Sequence, residues 1–187
     1  MALTTLDANT ALVVIDLQKG ILSYPTVHPI DGIVANAARL TQAFRKKGLP
    51  VALVNVTGGA PGRTERNRSL TNLPDDWADL APELGRQPSD ILVSKTTWGA
   101  FASTDLEARL RTVGVTQVVL CGVATSIGVE STARQAYESG FNVTLATDAM
   151  TDMQAECHAN SVERIFPRLG ETGGTAGIVA LVEAMGA

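Results

Sequence analysis

The hydrophobic residues of the chain fall into short apolar runs that alternate with stretches of helical spacing. Apolar runs rich in β-branched residues occupy residues 11–15, 51–56, 91–93, 118–121 and 142–146. Runs of this length and composition are typical of strands that are buried on both faces of a sheet. The pattern therefore predicts five strands, most of them joined by connections long enough to hold a helix.

Helix signals lie between these runs. Asp31 is placed to cap a helix with one apolar face, made of Ile33, Val34, Ala37, Leu40 and Phe44. Another helix is expected from Val129, and residues 151–154 match a capping box for a helix that runs to about Phe166. Strand and helix thus alternate along the chain, which predicts right-handed crossovers and parallel pairing. We expect an α/β fold with three α/β/α layers and a doubly wound, mostly parallel sheet.

Composition narrows the class of protein. The 187 residues suit one domain, spanning residues 1–187, with no repeat or linker. A hydrophobic content of 45% with 18% charged residues indicates a globular chain. The net charge of -4 disfavours binding to nucleic acid or to an anionic membrane. The chain shows neither an apolar run of membrane-spanning length nor a signal-peptide pattern, so we expect a cytoplasmic protein.

Functional groups follow several of the predicted strands. Asp16 ends the first strand, Lys95 lies just past the third, and the loop of residues 122–128 leads from the fourth into a helix. Ligands of open parallel sheets bind at the carboxyl edge, where these positions meet and where a helix N-terminus adds partial positive charge. Asp16 is equally compatible with a turn-forming role, and the loop with an ordinary helix cap.

Residues 57–90 break the rhythm and contain several glycines, prolines and arginines. The glycines do not form a phosphate loop, because no Gly-Lys-Ser/Thr sequence follows them. Arg63, Arg66 and Arg68 are candidates to hold a substrate carboxylate, although a solvated surface explains them as well. The two histidines, His28 and His158, are isolated in the sequence and are expected to be surface or packing residues.

Three sequence blocks, in this order, resemble the isochorismatase-like hydrolases, also called the cysteine hydrolases. The first is the apolar strand that ends in Asp16-Leu17-Gln18, and the second is Lys95 followed by residues 98–101. The third comprises Gly122-Val123-Ala124-Thr125, residues 131–134 and residues 148–150. The resemblance covers nearly the whole chain, and its order on this strand pattern makes it specific to the family.

The resemblance implies a catalytic group of Asp16, Lys95 and a cysteine in the first turn after the loop. Here Gly128 occupies that position, and glycine cannot act as a nucleophile. Cys121 lies inside the preceding strand, where a small buried thiol is the default interpretation. Thr125 and Ser126 show no histidine base in the sequence and are expected to act as caps or hydrogen-bond donors.

The isochorismatases themselves are similar at this point, since they carry glycine there and form no covalent intermediate. The resemblance then implies that Asp16 protonates the enol carbon of a vinyl ether, with Lys95 positioning it or binding a substrate carboxylate. An adjacent ammonium lowers a carboxyl pKa, whereas an acid must keep its proton, so burial would have to compensate. Residues 57–62 lack the glutamine that isochorismatases use in this loop.

The resemblance also implies how a small-molecule substrate is bound. The expected binding residues are Gln18, Trp98, Phe101, Ala124, Thr125 and Ile127. A non-proline cis peptide is expected at Val123-Ala124, and the backbone N–H groups of this loop would form an oxyanion hole. The metal motif of the nicotinamidase branch, Asp-x-His, is absent, so we expect no metal and no other cofactor. Members of the family form dimers or tetramers, which implies a homo-oligomer.

Two alternatives to enol-ether hydrolysis remain open. One is an amidase in which Asp16 activates water directly. The other is a binding protein that has lost its nucleophile and keeps the pocket. Retention of both Asp16 and Lys95 favours an enzyme, because a protein that merely binds has little need for a buried Asp–Lys pair.

Overall fold

A six-stranded parallel sheet forms the centre of the molecule. The computed structural model describes residues 3–65 and 73–186. The strands are β1 (Thr10–Ile15), β2 (Val51–Val56), β3 (Ile91–Lys95), β4 (Gln117–Val123), β5 (Asn142–Thr151) and β6 (Glu171–Gly173). All neighbouring pairs are parallel, in the order β3-β2-β1-β4-β5-β6. The strand order reverses beside β1, and this reversal opens a crevice at the carboxyl edge.

Helices cover both faces of the sheet. They are α1 (Lys19–Leu22), α2 (Ile30–Lys46), α3 (Leu106–Thr112), α4 (Glu130–Glu138), α5 (Ala155–Asn160) and α6 (Thr175–Ala184). Short 3-10 turns occupy Pro82–Leu84 and Phe166–Arg168, and π-helical turns occupy Thr125–Val129 and Ser161–Ile165. None of the described helices combines the length and apolar character needed to cross a membrane.

Strand β1 shows why the apolar runs are continuous. Its odd-numbered residues, Ala11, Val13 and Ile15, pack into a core shared with α3 and α4. Its even-numbered residues, Leu12 and Val14, pack into a second core shared with α2 and α6. Every residue of β1 is buried because its side chains alternate between two covered faces, and five of the six residues are apolar, Thr10 being the exception. The predicted three-layer α/β/α fold is therefore confirmed.

The structure differs from the sequence prediction at several boundaries. Strand β6 was not predicted, since its sequence Glu-Thr-Gly lacks an apolar run. Helix α2 begins at Ile30 after Pro29, so Asp31 lies in the first turn and not at the cap, where its charge still suits the helix dipole. The helix predicted from the capping box at residues 151–154 begins later, because β5 continues to Thr151 and α5 begins at Ala155. Its helical turns then continue through Ile165, close to the predicted end at Phe166.

Gly122 sets how closely β1 and β4 approach at the carboxyl edge. It pairs with Ile15 in the sheet and has a φ of 122°, a conformation that favours glycine. An ideal Cβ at this position would lie 2.0 Å from the Ile15 carbonyl oxygen. The backbone itself blocks any side chain at position 122, so relief would require the two strands to separate.

We therefore expect Gly122→Ala to lower the free energy of unfolding by about 3 kcal/mol or more, because a backbone clash adds to an unfavourable φ. Gly140→Ala is the matched control, since Gly140 has a φ of 78° with no atom within 4 Å of the added Cβ. The free energy of unfolding of this control should fall by about 1 kcal/mol. Urea denaturation of both variants measures the difference, and equal losses would show that the Ile15 contact does not matter.

Candidate active site

Asp16 and Lys95 form a buried ion pair at the carboxyl edge of the sheet. Asp16 directly follows β1, where its φ of 51° ends the strand. Lys95 is the last residue of β3, so its long side chain crosses β2 to reach the carboxylate. Its ammonium donates to Asp16 Oδ2 at 2.7 Å and to the Thr97 carbonyl oxygen at 3.1 Å. Because both side chains are enclosed, each ion depends on the other for neutralisation.

One oxygen of the Asp16 carboxylate is left without a partner. Asp16 Oδ1 is sealed from solvent and accepts no hydrogen bond from the described residues. Burial raises the pKa of this carboxyl from its ordinary 3.8 to about 6, and the Lys95 ammonium, which lowers the pKa, offsets the burial only in part. Asp16 can therefore hold or release a proton near neutral pH.

The turn after β4 brings Gly128 against this carboxylate. Residues Thr125–Val129 form a π-helical turn between β4 and α4, and turns of this type occur frequently at functional sites. An ideal Cβ at Gly128 would lie 3.1 Å from Asp16 Oδ2 and 2.9 Å from Ile15 Cγ2. Glycine thus keeps the space beside the carboxylate free of a side chain. The peptide bond between Val123 and Ala124, just before the turn, is cis.

Two residues that the sequence did not indicate hold this turn from outside. Asp152, directly after β5, accepts hydrogen bonds at Oδ2 from both the backbone N–H and the hydroxyl of Ser126, each at 2.8 Å. The Thr125 hydroxyl and His158 Nδ1 share a hydrogen bond of 2.9 Å. The expectation that Thr125 has no histidine partner was wrong, because α5 brings a residue 33 positions away beside it. Asp152 carried a usable signal, since it too follows a strand at the carboxyl edge.

The two histidines lie against each other, although they are far apart in sequence. The rings of His28 and His158 meet edge to face with centroids 4.7 Å apart. The His28 backbone N–H donates to Thr151 Oγ1 at 3.2 Å, and His28 Nδ1 lies 3.1 Å from the same oxygen. Burial and the neighbouring His28 lower the pKa of His158, against an opposing effect of Asp152. The His158 ring is therefore neutral at neutral pH.

Three of the predicted binding residues, Gln18, Phe101 and Trp98, differ in how far they are exposed and in what they contact. Gln18 is fully buried, and its amide donates to the carbonyl oxygens of Val56 and Trp77 and accepts from the Val56 N–H. These bonds occupy the Gln18 amide in holding β2 to the Trp77 segment. The Phe101 ring is 9% exposed and packs against Phe141 in the core, whereas Trp98 is 66% exposed.

The loop residues Ala124 and Thr125 are buried beside Gly128, and Ile127 is half-buried in the same turn. Arg63 is exposed, and Arg66 and Arg68 lie outside the described residues. Among residues 3–65 and 73–186, no group of three or more His, Cys, Asp or Glu side chains is arranged to hold a metal ion.

Neither cysteine touches the Asp16–Lys95 pair in the described contacts. Cys121 is fully buried within β4, and burial together with Asp148 raises the pKa of its thiol to about 12. Such a thiol is not a nucleophile at neutral pH. Cys157 lies on α5, where its thiol donates to Gln154 Oε1 at 3.3 Å.

Comparison with known proteins agrees with this geometry. The sequence-family model of the isochorismatase domain matches residues 10–177 of this chain. The chain is 45% identical over 168 residues to the isochorismatase family protein YecD of Escherichia coli O157:H7, covering 86% of this chain and 89% of that protein. It is 32% identical over 165 residues to the phenazine biosynthesis protein PhzD of Pseudomonas fluorescens, covering 83% of this chain and 77% of that protein.

A solved isochorismatase family protein from Burkholderia thailandensis has the same fold. It superposes with a TM-score of 0.92 at 41% identity, over 96% of this chain and 98% of that one. The match of family model, relatives and fold extends across the strands that carry Asp16, Lys95 and the turn with Gly128. The chain belongs to the isochorismatase family of hydrolases.

Proposed function

We propose that this hydrolase cleaves an enol ether of the isochorismate type by acid catalysis, without a covalent intermediate. The observation that carries the proposal is the Asp16 carboxyl, which is buried, has one unpartnered oxygen and has a pKa raised to about 6. An enol ether needs a proton on carbon before water can attack, so it needs an acid that keeps its proton near neutral pH. The match to the isochorismatase domain supports the same substrate class.

The reaction consumes one water and needs no external oxidant or reductant. Asp16 Oδ1–H gives its proton to the terminal enol carbon, and the ether oxygen stabilises the resulting cation at the neighbouring carbon. Water adds to that carbon and forms a hemiketal, releasing a proton that returns the carboxylate to its acid form. The hemiketal then collapses, breaking the bond from carbon to the ether oxygen and giving a carbonyl compound and an alcohol.

Lys95 fits a role in orienting the acid. Its ammonium occupies Asp16 Oδ2 at 2.7 Å, which leaves Oδ1 as the oxygen that can carry the transferable proton. When Asp16 gives up its proton, the resulting carboxylate lies beside a fixed positive charge and is stabilised there. The same ammonium lowers the pKa of Asp16, but the effect of burial is larger, which supports a role as an acid.

Gly128 takes the position that a cysteine nucleophile holds in most of the family. Its missing side chain lets the turn lie directly against the carboxylate, since a Cβ would come within 3.1 Å of Oδ2 and 2.9 Å of Ile15 Cγ2. In our proposal the substrate reaches the carboxyl group at Oδ1, the oxygen that Lys95 leaves free. An amide hydrolase in which Asp16 acts as a base is the second candidate, and pH dependence separates the two.

We expect kcat/KM for isochorismate to be constant well below pH 6 and to fall as pH rises through about 6, where Asp16 loses its proton. Above that pH the fall should be about tenfold per pH unit. A base must instead be deprotonated, so an Asp16 amidase would show kcat/KM for small amides rising through the same pH. A pH profile on both substrates decides between them, and a rising profile would refute the acid mechanism.

Asp16→Asn should lower kcat for isochorismate by about 10³-fold, because the amide cannot supply the proton. Asp31→Asn removes a carboxylate from the exposed first turn of α2 and should leave turnover unchanged. Circular dichroism of both variants checks that they are folded. If folded Asp16→Asn keeps wild-type turnover, Asp16 is not the acid. If the wild type turns over neither isochorismate nor amides and Gly128→Cys gains amidase activity, a binding protein on a hydrolase scaffold is the better interpretation.

Alkylation tests whether a thiol takes part. Iodoacetamide should leave turnover by Cys157→Ser unchanged, because Cys121 is fully buried with a thiol pKa of about 12. Gly128→Cys in the same background places a thiol beside Asp16, and its alkylation should block the site. Mass spectrometry identifies the modified residue. Loss of turnover on alkylation of Cys121 in the parent would instead show a covalent mechanism.

A further inference from the structure

The π-helical turn that carries Gly128 is held from both sides. On the inner side, the Thr132 hydroxyl donates to the Gly128 carbonyl oxygen at 2.7 Å, and the N–H groups of Ile127 and Val129 donate to the Ala124 carbonyl oxygen. These bonds are local to the turn and α4. They fix its shape but do not fix where it lies relative to the rest of the sheet.

On the outer side, the side-chain contacts come from Asp152, which directly follows β5, and from His158 within α5. Asp152 is almost fully buried and has both oxygens occupied: Oδ2 accepts from Ser126, and Oδ1 accepts from the N–H groups of Met153 and Gln154. The Asp152 carboxylate therefore ties the N-terminal end of α5 directly to the turn. One turn further along α5, His158 bonds to the fully buried Thr125.

The position of this turn controls what surrounds the Asp16 carboxylate. The Gly128 backbone lies close enough that a Cβ would contact both Ile15 and Asp16 Oδ2. An outward movement of the turn by about 1 Å would separate its backbone from the carboxylate. Misplacement of that size costs on the order of 100-fold in rate when reacting groups lose their alignment.

We infer that Asp152 and His158 are positioning residues that press the Gly128 turn onto Asp16 and keep water away from its carboxyl group. The inference rests on the proposed role of Asp16 as the acid, and it assigns a task to residues that do not touch the reacting atoms. Its physical basis is that a hydrogen bond to a buried carboxylate is strong, and Asp152 makes four of them with no cation nearby in the described contacts.

The ring of His158 suits this task because it is neutral. Its Nδ1 forms a hydrogen bond with Thr125 Oγ1, and its ring lies edge to face with His28. The Asp152 carboxylate raises the pKa of His158, but burial and His28 lower it by more. A neutral ring beside His28 adds no charge repulsion to the segment. An asparagine at position 158 can offer an amide group near the place of Nδ1, whereas phenylalanine keeps the ring packing and loses the hydrogen bond.

The test measures the pKa of Asp16 directly, by NMR titration of its ¹³C-labelled carboxyl resonance, assigned by its loss in Asp16→Asn. We expect the wild-type pKa of about 6 to fall below about 5 in His158→Phe and in Asp152→Asn, because water enters beside the carboxylate. His158→Asn should restore a value close to the wild type. Glu156→Gln removes an exposed charge from the same segment, so it controls for the charge lost in Asp152→Asn. It should leave the pKa of Asp16 unchanged.

Turnover of isochorismate is the second measurement. In His158→Phe we expect kcat to fall on the order of 10-fold to 100-fold with little change in KM, because alignment is lost rather than binding. His158→Phe exchanges one neutral ring for another, so it carries the test alone if Asp152→Asn does not fold. A wild-type protein that turns over no isochorismate refutes the proposed function, while the pKa of Asp16 still reports on the positioning role.

An unchanged Asp16 pKa in folded His158→Phe and Asp152→Asn would overturn the inference, whatever their turnover. A fall in the pKa that His158→Asn fails to reverse would also count against it, because the hydrogen bond to Thr125 would then not be the cause. A general loss of stability lowers the melting temperature but leaves the Asp16 pKa of the folded protein unchanged, so the two explanations are separated.

Discussion

Enclosing a carboxylate and an ammonium at the end of a central strand costs several kcal/mol for each ion before their attraction is counted. In this protein the cost is met by one short contact, from Lys95 Nζ to Asp16 Oδ2, and by a raised carboxyl pKa that keeps part of the population neutral. The rest of the active edge is arranged around this pair. Strand β2 separates the two residues, and the turn with Gly128 closes over them.

Two glycines make this enclosure possible in different ways. Gly122 allows β4 to lie against the end of β1, because any Cβ at this position would clash with the Ile15 carbonyl oxygen. Gly128 leaves a space beside the carboxylate, where a side chain would contact Asp16 and Ile15. The first glycine is required by a backbone contact, and the second by contacts with two side chains. A substitution at position 122 is thus expected to separate the two strands, whereas one at position 128 is expected to displace the side chains of Ile15 and Asp16.

Support for the site comes from the β5–α5 segment, which supplies none of the groups around the carboxylate itself. Asp152 and His158 reach the turn through side chains, and His28 packs on the other side of His158. A sequence offers little sign of such contacts, since residues 125 and 158 are joined by folding alone. The capping-box pattern at residues 151–154 placed the start of the helix too early, and the backbone N–H groups of Met153 and Gln154 donate to Asp152 instead.

The sequence by itself determined the layered α/β fold, since apolar runs buried on two faces and amphipathic helices each have one stable arrangement. It also indicated that Asp16 and Lys95 lie at the carboxyl ends of strands and so share an edge of the sheet, although Lys95 is the last residue of β3 and does not follow it. The tertiary structure decided the properties that depend on distance and burial: the raised pKa of Asp16, the occupied amide of Gln18 and the link from Thr125 to His158. These follow from which side chains exclude water from which others, and that is set when distant segments pack together.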